Sequence, residues 1–152
     1  MRSRVLVSVD GGVADVRLNR PDKLNALDPA MFAALVEAGE ALEADASVRA
    51  VVLSGEGRGF CAGLDFSVFQ SMGDPGGGGG ERATSADRGP SIMDTGDRQT
   101  HLGQQACWVW RELPVPVVAA VTGPCLGGGL QIALGADLRI VAADAKLSVL
   151  EV

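Results

Sequence analysis

A chain of 152 residues, 47% hydrophobic and 21% charged, has about one domain's length and enough apolar material for a real core, so a globular protein is expected. Its net charge of −6, with no basic stripe to neutralise phosphates, argues against nucleic acid as a partner. No apolar run approaches a membrane span, the N-terminus carries no signal-peptide pattern, and Cys61, Cys107 and Cys125 lack metal or redox spacing. A cytoplasmic protein without membrane or metal partners is expected, each cysteine acting as a small buried hydrophobe.

Arg4 to Asp10 and Val13 to Asn19 alternate around Asp10-Gly11-Gly12, which predicts a hairpin. Val5, Val7 and Val9 fall on one face, whereas Val13 and Leu18 cannot share a face without a bulge. After the crossing segment Asn19 to Leu27, Asp28 as N-cap and Pro29 at the first position start a helix. Phe32, Leu35, Val36, Gly39 and Leu42 recur at helical spacing, and Glu37, Glu40 and Glu43 read as a solvated face. Val48 to Ser54 is a β-branched strand, Gly55 to Gly59 a turn, and Phe60 to Asp65 leads into a short helical segment with Asp65 as N-cap.

From Ser71 to Asp97 the composition shifts to Gly, Ser, Asp and Pro, with an unbroken glycine run over Gly76 to Gly80. A mobile loop is expected there, serving either as a lid or as a surface insertion without function. Its glycines form no phosphate-binding motif. Gln99 to Leu113 reads as the next helix, with Leu102, Ala106, Val109, Trp110 and Leu113 as its stripe and Pro114 and Pro116 as its stop. Trp108 and Trp110 read as packing residues, and His101, the only histidine, as a helix-surface residue. Val117 to Val121 is then a buried strand, Thr122 to Leu126 a turn, and Gly127-Gly128-Gly129 opens a helix to Asp137. Leu138 to Ala142 is another apolar strand, Asp144-Ala145 turns the chain, and Lys146 to Leu150 runs on from there.

Two strands thus each deliver a small-residue loop. In a parallel sheet both loops would emerge at the same carboxyl edge, where ligands of α/β folds bind. Two backbone N–H groups converging there would hold a negative oxygen. Taken alone, the glycines say no more than that two tight strand-to-helix turns are needed.

The surrounding residues say more. Asn19-Arg20-Pro21-Asp22-Lys23-Leu24-Asn25-Ala26-Leu27, Gly59-Phe60-Cys61-Ala62-Gly63-Leu64-Asp65 and Gly123-Pro124-Cys125-Leu126-Gly127-Gly128-Gly129, followed by Ala136-Asp137, together resemble the crotonase family of enoyl-CoA hydratases and isomerases. The likeness runs over essentially the whole of residues 1–152. It implies an α/β fold of repeated ββα units, with a mostly parallel sheet flanked by helices. Family members continue through a helical C-terminal part, so the sequence looks like the N-terminal portion of a crotonase. The resemblance further implies an acyl-CoA substrate, coenzyme A being part of it and no separate cofactor, and a homo-oligomer, trimer or hexamer, when that C-terminal part is present.

By the same resemblance the oxyanion donors are the N–H groups of Leu64 and Gly128, with Lys23, Leu24, Ala26, Ala62, Asp65 and Gly127 along the substrate and its CoA moiety. Where the hydratases carry two glutamates, this chain has Gln131 and Glu151. An amide hydrogen-bonds water but does not exchange a proton as a carboxylate does. One carboxylate above an oxyanion hole suits double-bond isomerisation. Hydration would require another acid, such as Asp74, Glu81 or Asp87. A binding protein without turnover, or a hydrolase pairing a cysteine with His101, are the readings from other classes.

Overall fold

The computed structural model describes residues 3–66, 95 and 99–150. The glycine-rich segment expected to be a loop, apart from residue 95, lies outside the described residues. The expected hairpin is formed by β1 (Val5–Asp10) and β2 (Val13–Leu18), with Val5 opposite Leu18 and Asp10 opposite Val13. A 3-10 turn (Pro21–Lys23) leads to α1 (Pro29–Glu43), β3 (Ala50–Gly55), α2 (Leu102–Glu112) and β4 (Val117–Val121). β5 (Pro124–Leu126), α3 (Gly128–Gly135), β6 (Leu138–Val141) and β7 (Lys146–Ser148) complete the order.

The main sheet has the order β1-β2-β3-β4-β6, antiparallel only at the hairpin and parallel from β2 onward. Parallel neighbours need crossover connections, and α1 and α2 lie on those between β2 and β3 and between β3 and β4. α1 starts as its sequence predicts, for the Asp28 side chain accepts the Met31 N–H at 2.8 Å and Pro29 follows it. α1 packs on α2, and α2 on α3.

The core lies between these helices and one face of the sheet. Ala14, Val16, Leu18, Val51, Leu53, Val117 and Ala119 are inaccessible to solvent, and Trp110 and Phe60 are the bulkiest side chains with them. Val13 and Leu18 are indeed on opposite faces, Leu18 buried and Val13 exposed. On the other face, the row through Val52 and Val118 ends on Leu138, which like Ile140 is largely exposed. Val7 and Val9 share the face of Val5 but remain exposed, because β1 is an edge strand with a neighbour on one side only.

Two boundaries differ from the expectation. α2 begins at Leu102 and not at Gln99, because the His101 ring takes the N-cap position: its Nδ1 accepts the Gln104 N–H, and the Gln104 side chain accepts the His101 N–H. Pro124–Leu126, expected as part of a turn, is a strand pairing in parallel with β7 as a separate two-stranded sheet. Its partner lies some twenty residues away, where local composition carries no sign of it.

Candidate functional site

The site is built on two loops, one beyond β3 of the main sheet and one beyond β5 of the small sheet. The first follows β3, and a fully buried amide holds it. Asn25 Nδ2 donates to the carbonyls of Glu56, Gly59 and Phe60 at 3.0, 2.9 and 3.2 Å, and its Oδ1 accepts the Arg20 N–H at 2.8 Å. Leu24 and Asn25 both lie in the left-handed region, at φ 49° and 57°, an uncommon state for residues with side chains that the surroundings must stabilise. The turn they make lays residues 24–27 alongside 61–65.

A short ladder joins these segments. The Ala62 N–H donates to Leu24 C=O at 2.9 Å, the Leu27 N–H to Gly63 C=O at 2.8 Å, and the Asp65 N–H to Leu27 C=O at 2.9 Å. In a regular extended chain, with Ala62 facing its partner, Leu64 would face it too. Gly63, at φ 89°, breaks this alternation. Gly63 C=O and Asp65 N–H face Leu27 instead, and the Leu64 N–H is turned to the opposite side. That is the side on which Cys61 bridges Cys125 of β5, through Cys61 N–H to Pro124 C=O at 3.0 Å and Leu126 N–H to Cys61 C=O at 2.9 Å.

The second loop is Leu126 to Gly128. Gly127 caps α3 and donates its N–H to Ser148 C=O of β7 at 2.8 Å, so the loop is anchored from behind by the small sheet. The loops are in close contact: a Cβ on Gly129 would lie 2.5 Å from Cys61 C=O and 2.7 Å from Cys61 Cβ, and only glycine fits. Gly128 is the first residue of α3, where N–H groups lack intrahelical partners and the helix dipole is positive.

Leu64 and Gly128 line one cavity of about 700 Å³, a size suited to a small organic ligand. Leu27 and Phe32 also line it. One face of α3 contributes Gly128, Gln131, Leu134 and Gly135, at helical spacing; opposite, α2 and its cap contribute His101, Gln104, Cys107, Trp108 and Arg111. His101 is therefore a cap and a cavity residue, not simply a helix-surface one. The two tryptophans divide, with Trp110 buried in the core and Trp108 exposed along the cavity, its Nε1 donating to Glu112 at 3.1 Å.

Of the residues singled out in the sequence, the structure brings Leu64, Gly128 and Gln131 together at the cavity. Leu24, Ala26, Ala62, Asp65 and Gly127 belong to the ladder and loop beside it, and Lys23 is exposed on the 3-10 turn. Glu151, with Asp74, Glu81 and Asp87, lies outside the described residues. Sequence reasoning assigned no role to Arg20 or to the Asn25 amide, which organise the first loop. The only signal was their place in the quoted Asn19 to Leu27 stretch.

Charge is concentrated behind the first loop. Arg20 Nη1 lies 2.5 Å from Asp65 Oδ2 and 3.7 Å from Asp28 Oδ2, while Arg4 holds Asp28 through two nitrogens. Burial pushes the Asp28 carboxyl up, but the Arg4 hydrogen bonds, the Met31 N–H and the charges of Arg4 and Arg20 outweigh it and hold it below its ordinary value. The thiols are unlike activated nucleophiles. Burial pushes Cys61 up to about 12 and Cys107 and Cys125 to about 11, so all three are protonated at neutral pH. Among the described residues no group of His, Cys, Asp and Glu side chains is arranged to hold a metal ion, and no helix is long and apolar enough to cross a membrane.

The hairpin, the parallel strands with their crossovers and the two meeting loops make up an α/β crotonase fold. A solved enoyl-CoA hydratase/carnithine racemase from Magnetospirillum magneticum superposes with a TM-score of 0.75 at 33% identity, covering 97% of this chain and 49% of that one. A monofunctional enoyl-CoA isomerase from M. smegmatis superposes with a TM-score of 0.68 at 31% identity, covering 96% and 53%. Residues 13–152 match the Enoyl-CoA hydratase/isomerase family, and the chain belongs to it. It is 34% identical over 148 residues to the 1,2-epoxyphenylacetyl-CoA isomerase of Escherichia coli, covering 96% of this chain and 50% of that protein. It is 31% identical over 151 residues to the hydroxycinnamoyl-CoA hydratase-lyase of Pseudomonas fluorescens, covering 97% and 49%. The chain thus spans about half the length of the curated relatives it matches.

Proposed function

We propose that the cavity takes the acyl group of a coenzyme A thioester, with the thioester oxygen between the N–H groups of Leu64 and Gly128. Removing a proton from the carbon next to the carbonyl places charge on that oxygen as an enolate. Two fixed donors aimed at the developing charge stabilise it, each contributing on the order of 3 kcal/mol by analogy with other oxyanion holes. The observation that carries this reading is the reversal at Gly63, which turns the Leu64 N–H out of its ladder toward the side of the α3 N-terminus. Coenzyme A enters as part of the substrate, along residues 23–26, with Lys23 near its phosphates and Ala62 and Gly127 around the thioester, while the Asp65 carboxylate is engaged by Arg20 behind the loop.

For the proton chemistry, Gln131 orients and Glu151 transfers. Gln131 lies one turn beyond Gly128 on the cavity face of α3, where its amide can donate or accept a hydrogen bond without exchanging a proton. A single carboxylate that removes a proton at one carbon and returns it at another performs double-bond isomerisation. Hydration with a second acid is the alternative within the same enzyme class. Acyl-CoA binding without turnover is the second reading, and the amide at position 131 favours it. The assembly we propose is a cytoplasmic homo-oligomer, trimer or hexamer when the C-terminal part is present, to be measured by light scattering.

The test is the absorbance of the conjugated enoyl thioester on adding the protein to a 3-enoyl-CoA, with Glu151→Gln alongside. A rise that is lost in the variant is expected. No rise while the thioester still binds would overturn the isomerase reading and leave either hydration by another acid or binding alone, and a rise insensitive to Glu151→Gln would move the proton transfer to another acid.

A further inference from the structure

We propose that the Arg20–Asp65 ion pair is a positioning device that fixes the direction of the Leu64 N–H without touching the substrate; this rests on the acyl-CoA reading above. Gly63, lacking a side chain, is free to place the following peptide on either side of the chain, so its own conformation does not decide where the Leu64 N–H points. Tethers on either side must decide it. Upstream, Gly63 C=O is held by the Leu27 N–H; downstream, Asp65 is held twice, through its N–H to Leu27 C=O and through its carboxylate to Arg20.

Arg20 is itself immobilised at both ends. Its N–H is held by Asn25 Oδ1, and its carbonyl accepts the N–H groups of Lys23 and Asn25 at 3.0 and 2.9 Å. Its guanidinium spans Asp65 and the Ala26 carbonyl, the latter at 3.1 Å. The Arg20 and Asp65 side chains are only 15% and 13% exposed, too sheltered to be a solvated surface pair. A partly desolvated pair of this kind adds little net stability when both partners are present, but it fixes geometry strongly. Its effect is therefore expected in the strength of the oxyanion contact more than in folding or in ligand affinity.

The probe is 2,4-hexadienoyl-CoA, a conjugated thioester whose absorbance moves to longer wavelength when hydrogen-bond donors polarise its carbonyl. Bound to the unaltered chain it should show that red shift. Asp65→Asn and Arg20→Gln should each bind the probe within about threefold of the unaltered chain and lose at least half of the red shift. The double variant should lose no more than the larger single loss, because the two residues act as one unit. Arg20→Lys, which keeps the charge but not the fork, should fall between, and it carries the test if either other variant fails to fold by circular dichroism. A full red shift in folded variants overturns the proposal, as does loss of affinity and red shift together, which would mark the pair as generally structural. An unaltered chain that binds no probe refutes the acyl-CoA reading itself and this inference with it.

Discussion

The two loops at the cavity do the same job by different means. Residues 61–65 are held by their main-chain ladder to residues 24–27 and, from outside, by side chains, through the Asn25 amide and the Arg20–Asp65 pair. Residues 126–128 are held through main chain, by β5 on β7 and the Gly127 N–H on Ser148, and the Gly128 N–H comes with a helix terminus. The first loop is thus sensitive to the chemistry of distant side chains, and the second to volume. An N–H at a helix start is preorganised by the helix; one in an extended segment must be aimed by its neighbours.

The sharpest way to break that contrast is Asn25→Ala. It leaves three carbonyls in the interior without their donor and is expected to destabilise the fold by about 3 kcal/mol or more, read from denaturant unfolding. Gly129→Ala should follow, at about 2 kcal/mol, because the new methyl group must push Cys61 and its loop away from α3; the hexadienoyl red shift should fall with it. Truncation on the cavity face of α3 is milder. Leu134→Ala, at a position more than half exposed beside the cavity, should change stability by less than about 0.5 kcal/mol while altering preference among acyl chain lengths.

A pH titration separates the loops further. Because the Asp28 carboxyl is held below its unfolded value, its contribution is present above the unfolded carboxylate pKa near 3.9. That contribution is lost as pH falls through the lower folded value. Asp28→Ala, which removes the α1 cap and the Arg4 pair, should cost about 1–2 kcal/mol at neutral pH. Its unfolding midpoint should converge on that of the unaltered chain in acid. A small effect is also assigned to Lys23→Ala, where an exposed charge near CoA phosphates should be worth about 0.5 kcal/mol, visible as a weaker salt dependence of acyl-CoA affinity.

What could be read in the sequence follows the same division between local and distant causes. The Asp28 cap, the Leu35 and Leu42 stripe and the strand Val117–Val121 are dictated by neighbours a few residues apart, and they stand where their residues predict. The cavity positions of Leu64, Gly128 and Gln131 were accessible only through the family resemblance that the motifs around them carry. By contrast, β5 depends on a strand some twenty residues on, and Arg20 meets Asp65 across 45 positions. Spacing rules carry no information at that range. His101 was missed for another reason: histidine is an unusual N-cap, and only Gln104 three residues later hinted at a capping box.

Cys61 and Cys125 face each other across the bridge that joins the two loops, both fully buried and both reduced. A thiol in that position can react with an external reagent only when the bridge parts, so its labelling rate is a clock for the opening of the site. Because one sulfur sits in the first loop and the other in β5, which leads into the second, equal rates would mean that the two sides separate as one event. Unequal rates would mean that each breathes alone, and the free energy of each opening could then be read without substrate, turnover or any change to the chain.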